Sequence, residues 1–136
     1  RYRMEEGAKP TNLKRGPGGV VDIEFLAQAL QLLHGGAEPR LRTTETLPAL
    51  RALHETGQLT DAQFEALSRS YRTLRLIEGR LRLLDATARH DFPADAEEQR
   101  KLARMLGYGD AAALAADVQT ITSRTRNEFE TVFRDL

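Results

Sequence analysis

The chain of 136 residues has no cysteine and no tryptophan. Disulfide scaffolds, thiolate metal sites and cysteine nucleophiles are therefore excluded. Aromatic residues make up only 6%, which leaves little for a nucleic-acid surface built on base stacking. Lysine is scarce too. Seventeen arginines and three lysines balance twenty acidic residues, giving a formal net charge of zero. A neutral chain is not a general polyanion binder, so no nucleic-acid partner is expected. No apolar run approaches the roughly 20 residues of a membrane span. The basic start Arg1-Tyr2-Arg3 leads into no apolar signal core. His34, His54 and His90 stand isolated, so no zinc site is expected. No serine sits in a Gly-x-Ser-x-Gly elbow. The expectation is a cytoplasmic chain without membrane contact and without metal ligands of its own.

What is present points to helices. Hydrophobic residues make up 40% and charged residues 29%, and a chain of this length buries roughly 70% of its unfolded surface. Residues 8–19 hold three glycines and two prolines and read as an irregular loop. Helix-period spacing then predicts helices over Val20–His34, Thr46–Thr56, Asp61–Asp85, Ala96–Leu106 and Ala111–Arg134. Gly35-Gly36 is expected to supply a left-handed cap to the first. Thr60 with Gln63 fits a capping box, and Asp95 and Asp110 fit N-caps. The first helix is apolar around most of its circumference, with Glu24, Gln28 and Gln31 as a narrow polar stripe, and is expected at the centre of the bundle. No alternating stretch predicts a strand. The fold class is all-α, a bundle of about five main helices. Residues 1–19 read as the end of a preceding helix plus a basic Gly/Pro-rich loop, and residues 20–136 as one bundle domain. The start without methionine reads as a piece cut from something longer.

The sharpest local feature is Lys14-Arg15-Gly16-Pro17-Gly18-Gly19 leading into a helix. Unpaired N–H groups and the positive dipole end favour an anion there, glycines admit a phosphate to the backbone, and Lys14 and Arg15 add charge. No Gly-Lys-Ser/Thr makes it a Walker loop. The other reading is a tight connection whose glycines permit close packing. Asp22 and Glu24 stand about 200° apart on the helix, too far round to share one metal. Asp22 reads as a complement to the helix dipole and Glu24 as part of a satisfied polar stripe, or one of them faces an adjoining domain and holds a Lys, an Arg or a hydrated cation. The long helix carries Arg69, Arg72, Arg75, Arg80 and Arg82, with Glu78 placed to pair along a solvated face, the other reading being a phosphate-binding or partner-binding arginine face. Gly79, a costly residue inside a helix, reads as a point where another helix or a ligand comes close.

Asn12-Leu-Lys-Arg-Gly-Pro-Gly-Gly-Val-Val-Asp-Ile-Glu-Phe-Leu26, followed by Gln28-Ala-Leu-Gln-Leu-Leu-His-Gly-Gly36, closely resembles the glutamine synthetase adenylyltransferase family. The likeness runs on through Leu41-Arg-Thr43, Tyr71-Arg-Thr-Leu-Arg75, Phe92-Pro93-Ala-Asp95 and Leu102-Ala-Arg-Met-Leu-Gly107. The resemblance implies a helical domain following a nucleotidyltransferase domain, in a two-headed enzyme. One head uses ATP and Mg²⁺ to adenylylate a tyrosine of glutamine synthetase, and the other removes AMP by phosphorolysis. Glutamine synthetase, a PII-type signal protein and the adjoining nucleotidyltransferase domain are the implied partners.

The catalytic acids of that family follow a Gly-Ser turn, and no Gly-Ser with Asp-x-Asp occurs in this chain. The fragment is therefore expected to hold no catalytic residue and no metal ligand, and to be inactive alone. Lys14, Arg15, Gly18 and Gly19 become the candidate phosphate-facing loop, with Asp22 and Glu24 as groups that orient it. Arg1–Glu6 and Asp22 look more like the C-terminal, adenylylating half. Two other readings remain: a non-catalytic helical interaction module, and the similar domain of a PII-protein uridylyltransferase.

Overall fold

Three of the five described helices begin where a side chain takes over an orphan N–H group of the first turn. A computed structural model describes residues 7–84 and 90–136 of the chain. Its five α-helices are α1 (Val20–His34), α2 (Thr46–Glu55), α3 (Asp61–Leu84), α4 (Ala96–Met105) and α5 (Ala111–Asp135), with a 3-10 turn at Pro39–Leu41. The all-α bundle is the observed architecture. The expected helix at the chain start lies outside the described residues, as does part of the loop following α3.

The caps are those the sequence marks. Gln63 donates its N–H to Thr60 Oγ1 at 3.1 Å while Thr60 N–H donates to Gln63 Oε1 at 3.0 Å, a reciprocal capping box. Asp95 accepts from Glu98 N–H at 3.0 Å and Asp110 from Ala113 N–H at 2.7 Å. One terminus differs from expectation. Gly35 stays right-handed at φ −67° and closes α1 by donating to Gln31 O, so no left-handed cap forms there.

Helix α1 packs against α2, α3 and α5, while α3 also meets α2, α4 and α5. Ile23, Leu26, Leu50, Leu74, Ile77, Leu81, Leu114 and Phe129 are among the side chains sealed in the shared core. Burying one such side chain contributes roughly 1.5–3 kcal/mol. The central place of α1 holds only in part. Its last turns leave Leu32 87% and Leu33 59% exposed, because Leu32 falls on the side opposite Ile23, Leu26 and Leu30. Gln31 fastens the same end by donating to Leu41 O and Thr43 O, both at 2.7 Å.

Among the described residues the sole β feature is an isolated antiparallel bridge between Asn12 and Asp91. Leu13 N–H donates to His90 O at 2.7 Å, and Phe92 N–H donates to Thr11 O at 2.9 Å. The glycine loop is thus stitched to the segment that enters α4. No helix among the described residues is long and apolar enough to cross a membrane.

Candidate functional site

The basic loop is a clamped structure. Asn12 Oδ1 accepts from Lys14 N–H at 3.0 Å and from Arg15 N–H at 2.9 Å, an Asx turn that sets both basic residues side by side. Leu13, 5% exposed, anchors the turn in the core. Arg15 is exposed and Lys14 half-buried.

The N–H groups at the start of α1 are directed inward. Gly19 donates to Gly16 O, Val20 to Leu13 O and Val21 to Lys14 O, at 3.0, 2.9 and 2.9 Å. Gly18 N–H donates to Asp22 Oδ2 at 2.6 Å. Gly18 also needs its missing side chain. Its φ is +75°, and a Cβ there would stand 1.9 Å from the carbonyl oxygen of Thr122 on α5. Gly19 would press a Cβ to 2.6 Å from Leu13 O. Close packing explains both glycines, so what the loop could offer an anion is the side-chain charge of Lys14 and Arg15.

Asp22 has 0% exposure, and its Oδ2 lies 3.2 Å from Nη1 of Arg126 on α5. The cation it holds here comes from α5 of the same chain. Arg126 in turn sets Nε 2.8 Å from Glu130 Oε1 and lies 5.1 Å above the Phe129 ring. Desolvated charge needs such a partner, since an unpaired buried carboxylate is costly. Glu24, half-buried on another side of α1, does not join this pair.

A second polar group lies beneath the loop. Glu78, expected on a solvated face, is 6% exposed. Arg75 Nη1 donates to its Oε2 at 3.0 Å, and His90 Nδ1 stands 3.1 Å from its Oε1. Lys14, Glu78 and His90 line one narrow gap with Leu13 and Leu81. The signal for Glu78 was its spacing. It follows Leu74 by four residues and flanks Ile77, on the face the apolar stripe buries. Arg126 and Thr122 carried no comparable signal. Gly79, in contrast, is exposed, with nothing within 4 Å of where a Cβ would stand, so no element of the described chain approaches it.

Of the six residues singled out from sequence, the fold gathers Lys14, Arg15, Gly18, Gly19 and Asp22 at one corner, where the loop crosses α1 and α5. A cleft of about 500 Å³ between α4 and α5, lined by Gln99, Arg100, Arg104 and Tyr108, includes none of them. Among the described residues no group of three or more His, Asp or Glu side chains is placed to hold a metal ion.

Residues 1–133 match the family described as GlnD PII-uridylyltransferase. The chain belongs to that family. Within it, the adenylyltransferase likeness read from the Asn12–Leu26 block extends over most of the sequence. The chain is 43% identical, over 118 residues, to the bifunctional glutamine synthetase adenylyltransferase/adenylyl-removing enzyme of Xanthomonas oryzae pv. oryzae, covering 87% of this chain and 12% of that protein. The same-named enzyme of Ralstonia nicotianae is 39% identical over 128 residues, covering 94% of this chain and 13% of that protein. That of Stenotrophomonas maltophilia strain K279a is 42% identical over 118 residues. The chain thus spans 12–13% of the length of these family members.

Proposed function

We propose that the chain is a helical domain of a longer cytoplasmic enzyme that adds AMP to, and removes it from, a tyrosine of glutamine synthetase. Its position is directly after a nucleotidyltransferase domain, in the C-terminal, adenylylating half, and a PII-type signal protein regulates the whole. The observation that carries this reading is identity of 39–43% across 87–94% of the chain to enzymes named for both activities.

In this reading Lys14 and Arg15 reach toward the phosphates of ATP at the domain boundary. Their fit is one of side-chain charge, because the Gly18 and Gly19 amides are engaged within the chain. Asp22 acts by fixing Gly18 and Arg126, and so the shape of the loop, and Glu24 lines the same helix. Bound Mg²⁺ would supply charge neutralisation at the phosphates, with its ligands outside this chain. The domain positions cations and leaves the chemistry to its neighbour.

The test uses the full-length enzyme with Lys14→Ala. Removing one charge-assisted contact to phosphate should lower AMP incorporation from ATP about tenfold to a hundredfold, with the melting temperature little changed. Wild-type kinetics in that variant would end the assignment. A second reading, transfer of UMP to a PII protein, is favoured by the description of the matching family. Transfer from UTP in place of ATP by the same enzyme would establish it.

A further inference from the structure

On helix α3 the residues Arg72, Leu76, Gly79 and Leu83 follow one another at spacings of four, three and four, on the line opposite the buried Leu74, Ile77 and Leu81. Leu76 is 45% and Leu83 71% exposed. Gly79 leaves an open dent between them, with nothing within 4 Å of a Cβ position. A glycine inside a helix costs roughly 0.5–1 kcal/mol relative to alanine, and no packing among the described residues offsets that.

Arginines flank the line on both sides. Arg69 is neutralised by Asp117 and Arg75 by Glu78. Arg72, Arg80 and Arg82 make no ion pair among the described residues. Residues 61–90 hold six basic and four acidic side chains. Two leucines and a dent amid uncompensated guanidinium groups match an interface with an apolar centre and a charged rim.

We infer that this face of α3 is covered by an acidic protein surface bearing an apolar side chain, belonging to another part of the longer polypeptide. The dent at Gly79 receives the apolar side chain, and carboxylates meet Arg72, Arg80 and Arg82. The family members that this chain matches are about seven times its length, which leaves ample chain to supply that surface. A nucleic acid fits less well, because Tyr71, which lies between Arg69 and Arg72, packs against the core, and no other aromatic residue stands between positions 69 and 82 to stack on bases. The inference rests on the longer polypeptide of the proposed function, and it is independent of whether Lys14 meets nucleotide.

The natural absence of cysteine from this stretch allows a direct test. In the full-length protein, with any cysteine outside this stretch replaced, maleimide reacts with Leu83→Cys and, as a control, with Thr120→Cys, an exposed site on α5. Position 83 should react at least about tenfold more slowly than position 120, and Arg72→Glu with Arg82→Glu should bring the two within about twofold. Acidic neighbours slow a thiol on their own, so acceleration in that background reports uncovering. Equal rates in the starting protein would overturn the inference. So would shielding that survives the charge reversal, that vanishes on nuclease treatment, or that vanishes on dilution, the last marking a second copy as the occupant.

Discussion

Arg126 Nη1 and Asp22 Oδ2 meet at 3.2 Å across 104 positions of sequence, and the same carboxylate oxygen accepts the Gly18 N–H. Helix α5 therefore determines the conformation of a loop at the other end of the chain. With Asp22 wholly buried and the Arg126 side chain 16% exposed, the pair is largely desolvated. Such a pair adds little over an apolar replacement, yet breaking it leaves a charge stranded.

Arg126→Met is accordingly expected to cost about 3–5 kcal/mol in urea unfolding. Asp22→Asn combined with Arg126→Met should recover part of that loss, since the stranded charge is gone. A double variant no more stable than Arg126→Met would mean that the Gly18–Asp22 bond, not charge, carries the effect.

Two glycines should respond in opposite directions. Gly18→Ala must place a Cβ 1.9 Å from the Thr122 oxygen at φ +75°, and the bundle should lose more than about 2 kcal/mol. Gly79→Ala enters open space within this chain alone, and the 136-residue chain should gain about 0.5–1 kcal/mol. Thermal melts of the two variants side by side check both signs.

Tyr108 donates to Asp117 Oδ2. Burial first, then that hydrogen bond and the Asp117 charge, push its phenol up to about 12. The folded value lies above the unfolded value of about 10, so the fold favours the protonated phenol. That contribution is complete below pH ~10 and is lost as pH rises toward 12. Tyr108→Phe should therefore flatten the fall of stability between about pH 10 and 12. In a spectrophotometric titration of the folded protein it should also remove a tyrosinate step near pH 12.

Local signals made the helices readable. Thr60 with Gln63, Asp95 and Asp110 each declare a helix start within four residues, and apolar spacing carries the helix onward, so every boundary falls within a residue of expectation. The loop was readable as a place of consequence but not in its workings. Its glycines, basic residues and acids are contiguous in sequence, whereas what shapes them is not. Thr122 and Arg126 on α5 act through backbone approach and a buried pair, and neither leaves a periodic trace. Glu78 was misplaced for a different reason. Ion-pair spacing to Arg75 and Arg82 is satisfied equally by an exposed and a buried glutamate, and the neighbouring Leu74, Ile77 and Leu81 decide between them. Gly79 was read as a point where another helix or a ligand comes close, and no helix does so among the described residues.

The buried Glu78 yields the last expectation. It receives Arg75 on one oxygen and faces His90 on the other, and His90 supplies the carbonyl that accepts Leu13 N–H. Truncating Glu78 to alanine removes the carboxylate that Arg75 bonds and His90 Nδ1 faces, and should cost about 1–3 kcal/mol. Because Glu78 and His90 touch, Glu78→Ala and His90→Ala should couple by about 0.5–3 kcal/mol in a double-mutant cycle. Loosening this contact also loosens the bridge between residues 11–13 and 90–92, on which the basic turn hangs. Trypsin should then cut after Lys14 or Arg15 faster in Glu78→Ala than in Glu65→Ala, an exposed change on the same helix. Equal cutting rates would separate the buried glutamate from the loop above it.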